Sequence, residues 1–272
     1  MQFFRLLLMA PLLLAACGPR WIYPNLDWMV PWAVADYVSL DRRQQSQLAH
    51  RLSRQLEWHC RTQLHRYADV LRQVGQDLES PGRPLSMTQL NRYQVILEEL
   101  WRDLVRRLGP EIGDILATAT DRQIEELFDN LEKENKKLED LYVHRSEEEL
   151  ISLRYKRMVK GVTYWIGKLS DTQKGAVADW SRQSASAGAL WISNRRRVQS
   201  TFRSLLSRRQ EVEDFSRAFT DLLLGLKAIE TADYGKQRTE RRRLAFRLLL
   251  RLGNGLSATQ RSTLIKRIGT CL

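Results

Sequence analysis

The chain is poor in the residues on which catalysis and metal binding usually rest. Its 272 residues include only three cysteines, four histidines and fourteen glycines. No glycine-rich phosphate cradle, nucleophile elbow or catalytic Cys/His context is found. His59-Cys60 is the one adjacent pair of good ligands, with His50 and His65 on the same stretch. None of the four stands four residues from another, the spacing by which a helix presents a zinc pair. The expectation is no metal, no cofactor and no enzyme. Long hydrophobic runs are missing too. Leu6 to Leu14, interrupted by Pro11, falls well short of the roughly 20 apolar residues of a membrane-spanning helix. Sustained alternation of period two is absent, which argues against a sheet.

What is present begins with a leader. One basic residue, Arg5, precedes that short apolar run and two small residues, the order of a secretory signal. Leu14-Ala15-Ala16-Cys17 resembles the lipobox of bacterial lipoproteins; an ordinary signal with an incidental Cys is the other reading. The resemblance implies removal of residues 1–16, a diacylglycerol on the Cys17 sulfur and acylation of its new amine. Membrane lipid is then a partner through Cys17. Buried acyl chains contribute about 0.8 kcal/mol per methylene, so three chains hold firmly where one is marginal. Gly18 stands where many lipoproteins kept at the inner membrane carry Asp. By that sorting rule the protein goes to the outer membrane, facing the periplasm.

The 256 residues that follow the leader suffice for one large domain or two small ones. Residues 17–38 form a lipidated, aromatic-rich segment with Trp21, Tyr23, Trp28, Trp32 and Tyr37 interleaved with Pro24 and Pro31. From Leu26 onward Trp28, Trp32 and Val34 could share a short helical face. The rings could rest in a membrane interface or cap the core of the following helices; we expect the second. Tyr23 to Trp28, Asp36-Tyr37, Leu40-Asp41, Gln44 and Trp58-His59 resemble an uncharacterised family of proteobacterial lipoproteins. That family implies an address and a shape but no activity.

Steps of three and four residues then dominate. Leu48, Leu52, Leu56, Cys60, Leu64, Tyr67, Leu71, Val74 and Leu78 define one stripe of a helix from Asp41 to about Ser80. A second helix carries Leu90, Tyr93, Leu97, Leu100, Trp101, Leu104 and Leu108 and should stop at Gly109-Pro110, followed by a short segment over 111–118. A third starts near Thr120 and a fourth at Ser146. Further helices are predicted from Ser170, to about 206, from 207 to about 228, from 232 to 252 and from 257 onward. The reading is all-α: an elongated array of long amphipathic helices in repeated hairpins, with units at 39–168 and 169–272.

A pentad recurs. LSMTQ stands at 85–89, LSDTQ at 169–173 and LSATQ at 256–260, with looser copies LDRRQ at 40–44, LSRRQ at 206–210 and ATDRQ at 119–123. The good copies begin 84 and 87 residues apart, which suggests a duplicated unit. Physically each is a helix start. Asp41, Ser86, Ser170 and Ser257 are N-caps, and Gln44, Gln89, Gln173 and Gln260 can close the capping box. The pentad also resembles the LTxxQ motif of the periplasmic chaperones Spy and CpxP, all-α proteins that cradle unfolding clients. That resemblance implies unfolded periplasmic proteins as partners.

The net charge is +12, although residues 121–149 hold eleven acids against five bases. Arg195-Arg196-Arg197 and Arg241-Arg242-Arg243 are candidate patches for anionic envelope components such as lipopolysaccharide. They could instead be solvated helix faces with apolar stems along the core, and that is the expectation. Behind a lipobox, nucleic acid is not an expected partner. In the oxidising periplasm Cys60 and Cys271 could bridge the first long helix to the C-terminus, or remain two thiols. The sequence predicts a non-catalytic binding module, with a chaperone-like or envelope-stress cradle as the leading reading and a structural envelope protein engaging lipopolysaccharide, peptidoglycan or a membrane complex as the alternative.

Overall fold

Helix starts are where local chemistry speaks most plainly, and the computed structural model follows them. It describes residues 23–79, 84–185 and 188–270. The expected leader (1–16), Cys17 and Cys271 lie outside the described residues. Within them a 3-10 turn, Tyr23–Asn25, leads into α1, Leu26–Ala35. The long helices α2, Arg42–Glu79, α3, Met87–Ala117, and α4, Asp121–Tyr142, follow. Next come α5, Glu147–Ile166, α6, Asp171–Gln183, and α7, Gly188–Ser207. The chain closes with α8, Phe215–Leu224, α9, Leu226–Ile229, α10, Ala232–Asn254, and α11, Ala258–Thr270. There is no strand among the described residues, so the fold is all-α.

Capping boxes open α5 at Ser146 with Glu149, and α6 at Ser170 with Gln173. Each satisfies amides that the first helical turn leaves without an internal partner. Two starts and stops differ from the sequence reading. Gly109-Pro110 does not end α3, which runs on to Ala117 with Pro110 inside it. Proline mainly excludes helical geometry from a preceding residue that has a Cβ, and here that residue is glycine. LSRRQ at 206–210 is not a helix start. Leu206 is buried in the last turn of α7, turns follow, and Asp214 caps α8 by accepting from the Arg217 amide at 2.9 Å.

The chain divides into two compact units, each built from three separate stretches. One holds residues up to 65, 97–137 and 193–230; the other holds 66–96, 138–192 and 231–272. This grouping is interleaved along the chain, unlike the consecutive halves 39–168 and 169–272. The first unit centres on Ile124, Phe128, Leu206, Phe215 and Phe219. Phe202 joins them, with ring centroids 5.6 Å from both Phe128 and Phe219. Here α3 and α8 meet at small residues: a Cβ added at Gly109 would lie 2.5 Å from Thr220 Oγ1, and one at Gly113 2.6 Å from Ser216 Cα. The second unit centres on Leu169, Ala176, Val177, Leu248 and Leu252.

The stripe expected on α2 is only partly inward. Its leucines at 48, 52, 56 and 64 are half-buried, while Gln44, Gln55 and Gln63 are buried. Cys60 is an exposed free thiol. On α1 the burial is by Ala33 and Val34, with Tyr37 beyond it, whereas Trp28 and Trp32 are 53% and 58% exposed. These two tryptophans do not cap the core as expected, because the opposite side of α1 supplies its inward face.

Candidate functional site

The pentads do more than start helices: four of them meet in pairs. In the first unit the Gln44 amide donates to Gln123 Oε1 at 3.1 Å, and Gln123 donates back to Gln44 Oε1 at 2.7 Å. Their second N–H groups donate to Thr118 O at 3.3 Å and Ser39 O at 2.8 Å, each two residues before the partner's cap. Each Oε1 also accepts from its own cap amide, Asp41 at 3.0 Å and Thr120 at 2.9 Å. A primary amide has two donors and two acceptor positions. Every one is used, and both side chains are buried.

The second unit repeats the arrangement. Gln173 and Gln260 exchange hydrogen bonds, both at 2.9 Å, and donate outward to Gly255 O at 3.1 Å and Lys168 O at 2.8 Å. Their Oε1 atoms accept from the Ser170 and Ser257 amides at 2.9 and 3.1 Å. Each pair therefore joins two helix N-termini by a fully satisfied, approximately two-fold amide dimer. Thr120 and Gln123 complete the set; ATDRQ was visible as a loose copy, but which copies meet is a tertiary fact. The remaining good copy differs. Ser86 and Gln89 form a local cap, and Leu85 exchanges hydrogen bonds with the Asn254 side chain at 2.6 and 3.0 Å. Arg209, from the loose copy 206–210, is buried and donates to Ala119 O at 2.7 Å and Asp121 Oδ1 at 2.8 Å, tying the end of α7 to the 119–123 pentad.

The basic runs are split by helical geometry, which turns each successive residue by about 100°. Arg195 is buried and donates to Asn135 Oδ1 at 2.6 Å. Arg196 grips Glu132 through two nitrogens at 3.1 and 2.6 Å, and Arg197 alone is exposed. The three do not form a common anionic-partner patch. That pairing holds the Glu132 carboxyl below its ordinary range. In the other run Arg241 is half-buried, while Arg242 and Arg243 are exposed, Arg243 lying 3.8 Å from Glu240.

His59 stacks on Tyr23, ring centroids 5.8 Å apart, and the Tyr23 hydroxyl donates to Leu56 O at 2.8 Å. Among the described residues no group of three or more His, Cys, Asp or Glu is arranged to hold a metal. Burial lowers the His59 pKa from the ordinary 6.5. A depressed folded-state pKa means that its contribution is present above 6.5 and is lost as pH falls. His59→Phe should therefore shrink the fall in melting temperature between about pH 7.5 and about pH 5.5. An unchanged fall would place the acid sensitivity elsewhere.

Fold and site define an all-α protein of capped helices whose recurrent motif is architectural. Residues 36–235 match a family of unknown function (DUF6279), and the chain belongs to that family. Asp36-Tyr37, Asp41, Gln44 and Trp58-His59 fall inside the match, while Tyr23 to Trp28 precede it. No curated protein and no solved structure matches the chain. No helix of the described residues is long and apolar enough to cross a membrane.

Proposed function

We propose that the protein is a lipid-anchored, non-catalytic binding module of the bacterial envelope, held through Cys17 on the periplasmic face of the outer membrane, with anionic envelope components as partners. The observation that carries the partner class is uncompensated positive charge. The chain has a net charge of +12, and Arg197 and Arg242 are exposed with no ion pair among the described residues. The address rests on the lipobox-like Leu14 to Cys17. A Spy/CpxP-like cradle for unfolded proteins is the second reading, favoured by the exposed Trp28 and Trp32. In that reading the client surface lies away from the pentads, because the paired glutamines are internal.

Two measurements test these readings. Cys17→Ser should move the protein out of the membrane fraction; retention there would remove the anchor from the proposal. The unanchored Cys17→Ser chain should then co-sediment with vesicles containing phosphatidylglycerol at low salt and be released as salt rises. Screening shortens from about 10 Å at 0.1 M salt to about 3 Å at 1 M. Salt-resistant suppression of aggregation of an unfolding client, without vesicle binding, would instead select the cradle.

A further inference from the structure

Arginines that leave water in this protein generally do so beside an oxygen. Arg209 has Asp121 and Ala119, Arg196 has Glu132, and Arg51 has Glu111 and Asp114. Arg154, midway along α5, does not. It is half-buried, its Nε is fully buried, and that Nε has no hydrogen-bond partner. No carboxylate pairs with it among the described residues. Its charged neighbours are cations: Arg241 of α10 and Arg157, one turn further along α5. Burial first, and then those two charges, depress its pKa. Arg157 is steadied by Tyr142, donating to the hydroxyl at 2.7 Å with its guanidinium 5.9 Å from the ring centroid. Arg241 forms no ion pair among the described residues.

A cation half withdrawn from water without a counter-charge is unfavourable, and two more cations beside it worsen the balance. The arrangement makes sense when an anion completes it. We infer that Arg154, Arg157 and Arg241 form an anion site in the second unit that receives a phosphate group. Guanidinium forks match phosphate oxygens two at a time. Donors arriving from two helices suit a tetrahedral anion, with oxygens in three dimensions, better than a planar carboxylate. The Tyr142 hydroxyl accepts from Arg157 and keeps its own proton to donate. The site gives the anionic partner proposed above a place to bind, and to that extent rests on that reading.

The test is thermal unfolding of the full chain in detergent micelles, with inorganic phosphate, chloride or acetate at matched ionic strength. A ligand that binds only the folded state raises the melting temperature progressively with its concentration. Phosphate is expected to do so, and chloride and acetate to give less than half its rise. Arg154→Met should change sign with conditions. Without phosphate it should melt above the native chain, since a half-buried charge with no counter-ion is gone, and with phosphate its shift should fall at least fivefold. Arg241→Gln should lose at least half the shift, and the neighbouring Arg242→Gln should keep it. Glycerophosphoglycerol, a phosphodiester headgroup without acyl chains, distinguishes the sources. A rise equal to that with phosphate points to a lipid headgroup, and no rise points to free phosphate. A phosphate effect no larger than that of chloride, or one retained by both Arg154→Met and Arg241→Gln, overturns the site. Vesicle binding that persists after such a failure leaves the envelope reading intact. A site that survives without vesicle binding removes that reading alone.

Discussion

Replacing Gln123 with Leu should destabilise the protein by about 2–4 kcal/mol, whereas Gln89→Leu should cost only about 0.5–1 kcal/mol. Both substitutions break the same pentad and lose the same helix cap. The difference is what remains behind. Without the Gln123 amide, buried Gln44 keeps an unused N–H and loses a donor to its Oε1, and the Ser39 carbonyl loses its donor. An orphaned buried polar group is worth about 1–3 kcal/mol. Gln89 leaves no such partner glutamine: its Oε1 accepts from Ser86 alone at 2.9 and 2.8 Å, and the Asp77 carboxylate that its amide also bonds keeps Tyr93, Arg92 and Gln73. The double variant Gln44→Leu, Gln123→Leu should be less damaging than the sum of the single changes, with a coupling of about 1–3 kcal/mol. Gln123→Glu should be worse than Gln123→Leu at neutral pH, because a carboxylate has no N–H and would face the Gln44 and Ser39 oxygens. Denaturant titration of these four variants and of the single Gln44→Leu decides the matter. Equal losses at 89 and 123 would mean that the pairing adds nothing to the caps.

Gly113→Ala should destabilise, with an effect larger than and opposite in sign to that of Gly161→Ala. A Cβ at 113 would stand 2.6 Å from Ser216 Cα and 3.0 Å from its Cβ and Oγ. The first of these is backbone, so no rotamer change relieves it, and α3 and α8 would have to separate. Gly109 one turn earlier faces Thr220 in the same way, which extends the seam over two turns of each helix. Overpacking costs about 1–3 kcal/mol, and contact with a main-chain atom puts the expected loss at about the upper value. Gly161, by contrast, is an exposed position inside α5 where an added Cβ meets nothing within 4 Å. There alanine should stabilise by about 0.5–1 kcal/mol, the ordinary gain from replacing an interior helical glycine. Melting temperatures of the two variants give the signs directly. A tolerated Gly113→Ala would mean that the helices separate freely and that the small-residue seam is not a constraint.

The same pair of helices shows why one boundary was misread. Gly109-Pro110 carries both residues that usually punctuate a helix, and from sequence it reads as a stop. In the folded chain the glycine admits α8 and, having no Cβ, removes one of the contacts that bar the residue before a proline from helical geometry, and the helix continues to Ala117. The arginine runs are divided by helical geometry. Three consecutive basic residues look like a patch in one dimension, but α7 sends Arg195 inward to Asn135, Arg196 across to Glu132 and only Arg197 to solvent. The site around Arg154 had no sequence signal, since an arginine without an acid cannot be told from one that has found its acid on another helix.

The sequence by itself determined the secondary structure and most helix starts. Period-three-and-four hydrophobicity and cap residues act within one or two turns, so Thr120, Ser146, Ser170 and Ser257 could be placed before any fold was known. It also exposed the pentads as a repeat. Only the tertiary structure decided that 40–44 meets 119–123 and that 169–173 meets 256–260, while 85–89 stays unpaired with any of them. The reason is physical. A capping glutamine satisfies its local partner in any isolated helix, but its remaining donors and acceptor are filled only when another helix start, about 80 residues away in the chain, is brought against it.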